Sequence, residues 1–294
     1  CTNKKLLDRG ARLLVEIAGV DYRTACENLF AALEEIQKVP GEKPSAVQVA
    51  LQWLHQRDLV SLEDFIKCAN QGWKLVWMDG QGTARSITPA AMRHSAKTLS
   101  ADKRQATFTW NGHADAGDDF SVTVSWEQTE DGRFAGKLCY DGWQGQQAIE
   151  EIHFPVVSHD FDIAGRFLYG GWDMGHLSPK DRVWGRAPIR HAQRSMQFNA
   201  VVNPHGQSWY FDSRDPDWNI KFADISVSAD RMKFTYAAVY LCPLPKTVAA
   251  AGGVPYVSSV KPYRGSWYEA AQIYKPWATQ QSWAVNRPHE NPLR

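Results

Sequence analysis

Three aspartates, an indole and an amine crowd the segment YFDSRDPDWNIK (210–221): Asp212, Asp215, Asp217, Trp218 and Lys221. Carboxylates beside an indole can hold sugar hydroxyls while the ring stacks on the apolar face of a pyranose. The same aspartates also suit a hairpin turn in which they accept local backbone N–H groups. Calcium is a third use for such carboxylates, although the spacing is not that of an EF-hand loop. A second concentration runs from Gly170 to His191 and is rich in Gly, Trp and Arg. Trp172, Asp173, His176, Trp184 and Arg186 could line a cleft there, because long loops in compact domains often carry function. The alternative is a loop pinned by buried tryptophans. His153 and His159 flank a strand end and read as structural. No histidine pair has zinc spacing, and neither a GxSxG elbow nor a phosphate loop occurs, so neither a metal nor a cofactor is expected.

The elements that must position these residues fall into three blocks. Residues 1–70 read as a small helical bundle. Leu6, Leu7, Ala11, Leu14 and Ile17 recur at helical spacing, and Ala25, Leu29, Leu33 and Ile36 form the face of a second helix after Asp21. Ser45 opens a third, and Ser61 with Asp64 stands at capping-box spacing for a short fourth. From Trp73 the period becomes two. FSVTVSWEQ (120–128) puts Phe120, Val122, Val124 and Trp126 on one side and Ser121, Thr123 and Ser125 on the other. TEDG (129–132) is a hairpin turn into RFAGKLCY (133–140). Further short strands follow to about residue 262. This pattern predicts a mainly β, α+β chain, with a large antiparallel sandwich behind the helical head. Residues 265–283 return to helix. Ser266 and Glu269 are its capping box, and its expected stripe is Trp267, Ala271, Tyr274 and Ala278; Pro276 is expected to kink or restart it. The last residues read as a linker toward a further domain.

Composition sets the outer limits. The chain has 294 residues and a net charge of +1, with no run of five or more like charges, which argues against a nucleic-acid partner. No apolar stretch approaches the roughly 18 residues of a spanning helix. Of 13 Trp, only Trp53 and Trp73 precede residue 76; the excess in the β-rich body reads as core before sugar platform. The five cysteines form no CxxC, which suits a reducing compartment such as the cytoplasm. Cys1 in place of Met reads as a cut from a longer chain.

Two resemblances follow from particular segments. TNKKLLDRGARLLVEIAGVDYRTACENLFAAL (2–33) with SAVQVALQWL (45–54) resembles the C-terminal helical cap of N-acetylmuramic acid 6-phosphate etherases, with an inserted stretch around Val39–Lys43. TFTWNG, IEEIHFPVV, SMQFNAVVNPHGQSWYFDSRDPDWNIK and GSWYEAAQIYKPWATQQSW resemble, in that order, the N-terminal sandwich of an uncharacterised glycoside-hydrolase-like family. That family pairs a galactose-mutarotase-like β-supersandwich with a following (β/α) barrel. Asp215 and Lys221 fall on positions of its pattern; Ser266 departs from the usual Asp, and the helical head stands where the first hairpins would be. The resemblance implies a carbohydrate partner, a catalytic barrel outside these residues, and no catalytic residue within them, since the acid and nucleophile of glycoside hydrolysis would lie on barrel strands. Two other functions stay open. One is a mutarotase- or epimerase-like enzyme using a His and a carboxylate on a free sugar. The other is an interaction module presenting the exposed face of helix 266–283.

Overall fold

The computed structural model describes residues 60–68, 72–160, 166–169, 175–177, 186–187, 197–203, 207–217, 219–228, 233–243 and 248–281. The first three helices of the head, and with them the etherase-like segments, lie outside the described residues. Residues 61–204 and 208–294 form one compact unit, which holds every element below.

That unit opens with helix α1 (Leu62–Cys68). The Asp64 N–H donates to Ser61 Oγ at 3.1 Å, and the Ser61 hydroxyl donates to Asp64 Oδ2 at 2.7 Å. The strands β1 (Gly72–Met78), β2 (Ala84–Ile87), β3 (His94–Leu99), β4 (Gln105–His113), β5 (Gly117–Gln128) and β6 (Phe134–Asp141) then follow through short turns. In the first of these, Asp79 Oδ1 accepts the N–H groups of Gln81 and Thr83. Next come β7 (Glu151–Asp160), β8 (Arg166–Tyr169), β9 (Gly175–Leu177), β10 (Arg186–Ala187), β11 (Phe198–Val202) and β12 (Ser208–Arg214). The last strands are β13 (Lys221–Val227), β14 (Lys233–Leu241), β15 (Gly252–Gly253) and β16 (Val257–Tyr263), before helix α2 (Trp267–Ala278).

Among the described residues all pairings are antiparallel and build two sheets. The shorter sheet has the order β10-β13-β14-β7-β1-β2. The longer has the order β3-β4-β5-β6-β16-β12-β11-β8-β9, with β15 beside β6. Period-two alternation sends one side of each sheet inward. Phe120, Val122, Val124 and Trp126 of β5 are all buried, as their spacing predicts. The sheets meet through rings. Phe211 of β12 stacks on Tyr236 of β14 with centroids 4.0 Å apart, Trp126 meets Phe154 at 5.2 Å, and Trp73 meets Trp110 edge-on at 5.5 Å. Trp73, Trp77, Trp126, Trp143 and Trp209 are buried, so these tryptophans are core. Trp126 lies over Gly136, its cross-strand partner, where a Cβ would collide with the indole.

Two helices close the sandwich. Phe65 of α1 is fully buried, stacked on Phe134 at 4.2 Å and edge-on to Trp126 at 4.8 Å. The helix expected as the last of the head therefore packs into the sandwich core. Ser266 and Glu269 form the expected capping box of α2: the Ser266 N–H donates to Glu269 Oε2 at 2.7 Å. The buried stripe differs from expectation. Ala270 and Tyr274 are buried, Ala271, Ile273, Trp277 and Ala278 are partly so, and Trp267 is 48% exposed. The Tyr274 hydroxyl accepts the Gln197 N–H at 3.2 Å, which fixes the rotation of the helix. Nor does Pro276 end or restart it. Pro276 sits in the last turn, where one intrahelical bond is lost, and the Thr279 N–H still reaches the Lys275 carbonyl at 3.0 Å.

Phe65→Ala is expected to lower unfolding stability by about 3–5 kcal/mol, the range for emptying a buried aromatic site. Urea unfolding of the full chain measures it; a change below about 1 kcal/mol would show that α1 is not part of the sandwich core.

Candidate functional site

The side chains of β4, β5 and β6 that point away from the core are mostly polar. Register sets Gln105 opposite Glu127 and Ala135, and Thr107 opposite Ser125 and Lys137. Together with Val257 at the start of β16, they line a trough of about 300 Å³. Gln105, Thr107, Ser125, Glu127 and Lys137 are exposed, and Val257 is 40% exposed. Ala135, between Glu127 on β5 and Ser259 on β16, makes the dip in the floor. The trough thus offers hydroxyls, an amide, a carboxylate and an ammonium on one ladder.

The same face continues over β16 and β12 into a half-buried polar cluster. Asp212, 4% exposed, accepts the Tyr210 hydroxyl at 2.8 Å and Arg214 Nε at 3.3 Å on Oδ2. Ser259, its cross-strand partner, brings its hydroxyl near enough to favour the charged carboxylate, though outside hydrogen-bond geometry. Burial nevertheless pushes the Asp212 carboxyl up, against Arg214, Tyr210, Ser259 and Arg133. Nearby, Arg133 Nε donates to Asp131 at 2.6 Å. Burial opposes ionisation of Asp131, but the bonds from Arg133 and Thr129 outweigh it and hold the carboxyl at about 2.

The expected sugar-holding segment 210–221 does not act as one unit. Asp212 belongs to the outward cluster, whereas Asp215 and Lys221 form a buried pair at the β12–β13 connection. Lys221 Nζ donates to Asp215 Oδ2 at 2.5 Å and lies over the Tyr256 ring at 4.6 Å. The Asp215 carboxylate also accepts the N–H groups of Asp217 and Asn219 and the Asn219 amide, at 2.7–3.1 Å. Four donors thus converge on a carboxylate that is 1% exposed, the arrangement of a turn-holding aspartate. Losing either charge would strand the other in the core at a cost of about 3–5 kcal/mol. Trp218, Trp172, Asp173 and Trp184 lie outside the described residues. His176 falls on β9 and Arg186 on β10, opposite Asp224. His153, 6% exposed, meets Glu151 Oε2 at 2.9 Å, and His159 lies against Trp209 at 4.7 Å.

The trough was not legible as a site in sequence. Its residues are ordinary outward positions of strands, and only the alternation of FSVTVSWEQ, which puts Ser121, Thr123 and Ser125 together, pointed to a polar face there.

No protein-family model matches the chain, and no curated protein matches its sequence. Solved structures do. The chain is similar to alpha-N-acetylgalactosaminidase NagBb from Bifidobacterium bifidum in its GalNAc complex, with a TM-score of 0.52 and 13% identity over 72% of this chain and 34% of that one. The Gal-NHAc-DNJ complex of the same protein gives 0.51, 13%, 72% and 34%. A GH36 alpha-galactosidase, AgaB from Geobacillus stearothermophilus, gives 0.44, 11%, 70% and 32%. The NagBb likeness shows a shared β-sandwich fold. This chain spans about a third of the length of these enzymes.

The raised Asp212 carboxyl predicts a pH dependence. The folded chain holds this proton more tightly than the unfolded one, so its contribution is fully present below the unfolded value of about 3.9 and is lost as pH rises through the folded value. Asp212→Asn is expected to remove that decline. Urea midpoints of both proteins across pH test it, and parallel profiles would contradict it.

Proposed function

We propose that this chain is the non-catalytic, carbohydrate-associated sandwich region of a larger glycoside-hydrolase-like protein, framing a sugar cleft next to a catalytic barrel that lies outside these residues. The carrying observation is the trough on the outer face of β4, β5 and β6. Its volume of about 300 Å³ stands at the low end of ligand clefts, about 300–1,000 Å³. Its donors and acceptors are of both kinds, as vicinal hydroxyls require. The shared fold with a longer glycosidase supports the reading. So do the exposed rings of Trp267 and Tyr268, 48% and 55% exposed and set edge-on at 5.9 Å, which offer an apolar surface at the start of α2. Trp172, Asp173, His176, Trp184, Arg186 and Trp218 are part of the proposal as further sugar contacts; Asp212, Asp215 and Lys221 support the strands beneath.

A second reading has one geometric point in its favour. The His153–Glu151 contact at 2.9 Å pairs a base with a carboxylate, as anomer exchange on a free sugar would need. Its near-complete burial sets it apart from the open trough.

Calorimetric titration with neutral mono- and oligosaccharides is expected to show binding in the millimolar to micromolar range, without turnover of aryl glycosides. Ala135→Tyr, which fills the trough floor, is expected to weaken binding at least ten-fold while leaving the urea midpoint in place. Unchanged affinity in that variant would overturn the trough as the site. Accelerated anomer exchange that His153→Gln abolishes would favour the second reading.

A further inference from the structure

Between the trough and α2, three cations meet over two carboxylates. Arg133 is matched by Asp131 at 2.6 Å, and Arg214 by Asp212 at 3.3 Å. Lys261 of β16 lies on the same outer face, within the field of both guanidiniums. It lies opposite Tyr210 on β12, one alternate position beyond Ser259, which pairs with Asp212 on one side and Ala135 on the other. Among the described residues Lys261 has no ion-pair partner. Burial pulls its amine down; the Asp131 carboxylate opposes this, and the fields of Arg133 and Arg214 add smaller downward pulls. A half-buried ammonium without an ion-pair partner, in the field of two guanidiniums, works against folding, and sites of this kind recur where a ligand supplies the missing charge.

The cluster adjoins the trough by register. Arg133 is one alternate step along the chain from Ala135 of the trough floor, ~7 Å. Arg214 lies directly opposite Val257, which lines the trough on β16. Neither arginine is fully covered; their side chains are 13% and 22% exposed. We infer that Lys261, with Arg133 and Arg214 on the same face, is an anion site that takes the carboxylate or sulfate of an acidic saccharide whose ring lies in the adjoining trough. The sugar half of this inference rests on the function proposed above; the anion half rests on the cation cluster alone. Arginine forks and an ammonium suit carboxylate and sulfate oxygens equally, so the shared chemistry is a tetrahedral or planar oxyanion on a sugar.

The test is calorimetry on the full chain at low and physiological salt, with trigalacturonate, galactotriose of the same linkage, a sulfated galactotriose and inorganic sulfate as probes. The acidic trisaccharides should bind at least ten-fold tighter than galactotriose, with the difference shrinking as salt rises. Lys261→Met should reduce them to the neutral level, and Lys261→Arg should keep the preference. Whichever acidic probe keeps the larger advantage identifies the oxyanion. Equal binding of acidic and neutral sugars, or an acidic preference untouched by Lys261→Met, overturns the anion site and leaves the sugar reading standing. Binding of sulfate alone, lost in Lys261→Met, upholds the anion site and overturns the sugar reading. Binding of no probe overturns both.

Discussion

Strand β12 is buried on both faces, and the rest of the sandwich depends on that constraint. Every residue from Ser208 to Ser213 is buried. Trp209 and Phe211 face the shorter sheet, where Phe211 stacks on Tyr236. Tyr210 faces the other way, into a cluster with Phe198, Tyr263, Ala270 and Tyr274 of α2. A strand covered from two sides cannot slip by one residue without putting Tyr210 or Asp212 in the place of Phe211. It therefore fixes the register of β11 and β16 on either side, the seat of α2, and the direction in which Asp212 and Arg214 point.

The two halves of the longer sheet consequently have different outer faces. Around Phe198 and Ala200 of β11 and Tyr210 of β12 that face is apolar and capped by α2. Over β4, β5 and β6 it is bare and polar, with the trough at its centre. The boundary falls on β16, where Lys261 sits half-buried between the two. A charged residue at such a border loses hydration without gaining the full enclosure of a core pair, in contrast to Lys221, whose ammonium is saturated by Asp215. The chemistry of the face concentrates at that edge.

Local patterns carried much of the fold into the sequence. Phe120 to Trp126 alternate visibly because one side of β5 is core and the other solvent. Ser266 with Glu269 announced α2, because capping is a short-range interaction. The stripe of α2 is not fully legible, because Trp267 is large and apolar yet stands in solvent, while the small Ala270 is buried; side-chain size does not reveal which face a tertiary contact selects. Helical spacing says nothing about partners, and only the Phe65–Phe134 stack assigns α1 to the sandwich. β16 is hard to read because VSSVKPY carries adjacent serines, both buried, and so shows no alternation. The site was still less legible. Asp215 and Asp212 look alike in sequence, but one is a turn anchor and the other an outward carboxyl. The trough residues become neighbours only through pairing across three strands.

The most direct measurement is amide chemical-shift mapping on the isotopically labelled full chain as a saccharide is titrated in. The shifting signals are expected to cluster on the outward positions of β4, β5, β6 and β16, around Thr107, Ser125, Lys137 and Ser259, with the shorter sheet silent. Shifts confined to β7, β13 and β14, or to the Asp215 turn, with the outer face unmoved, would contradict it.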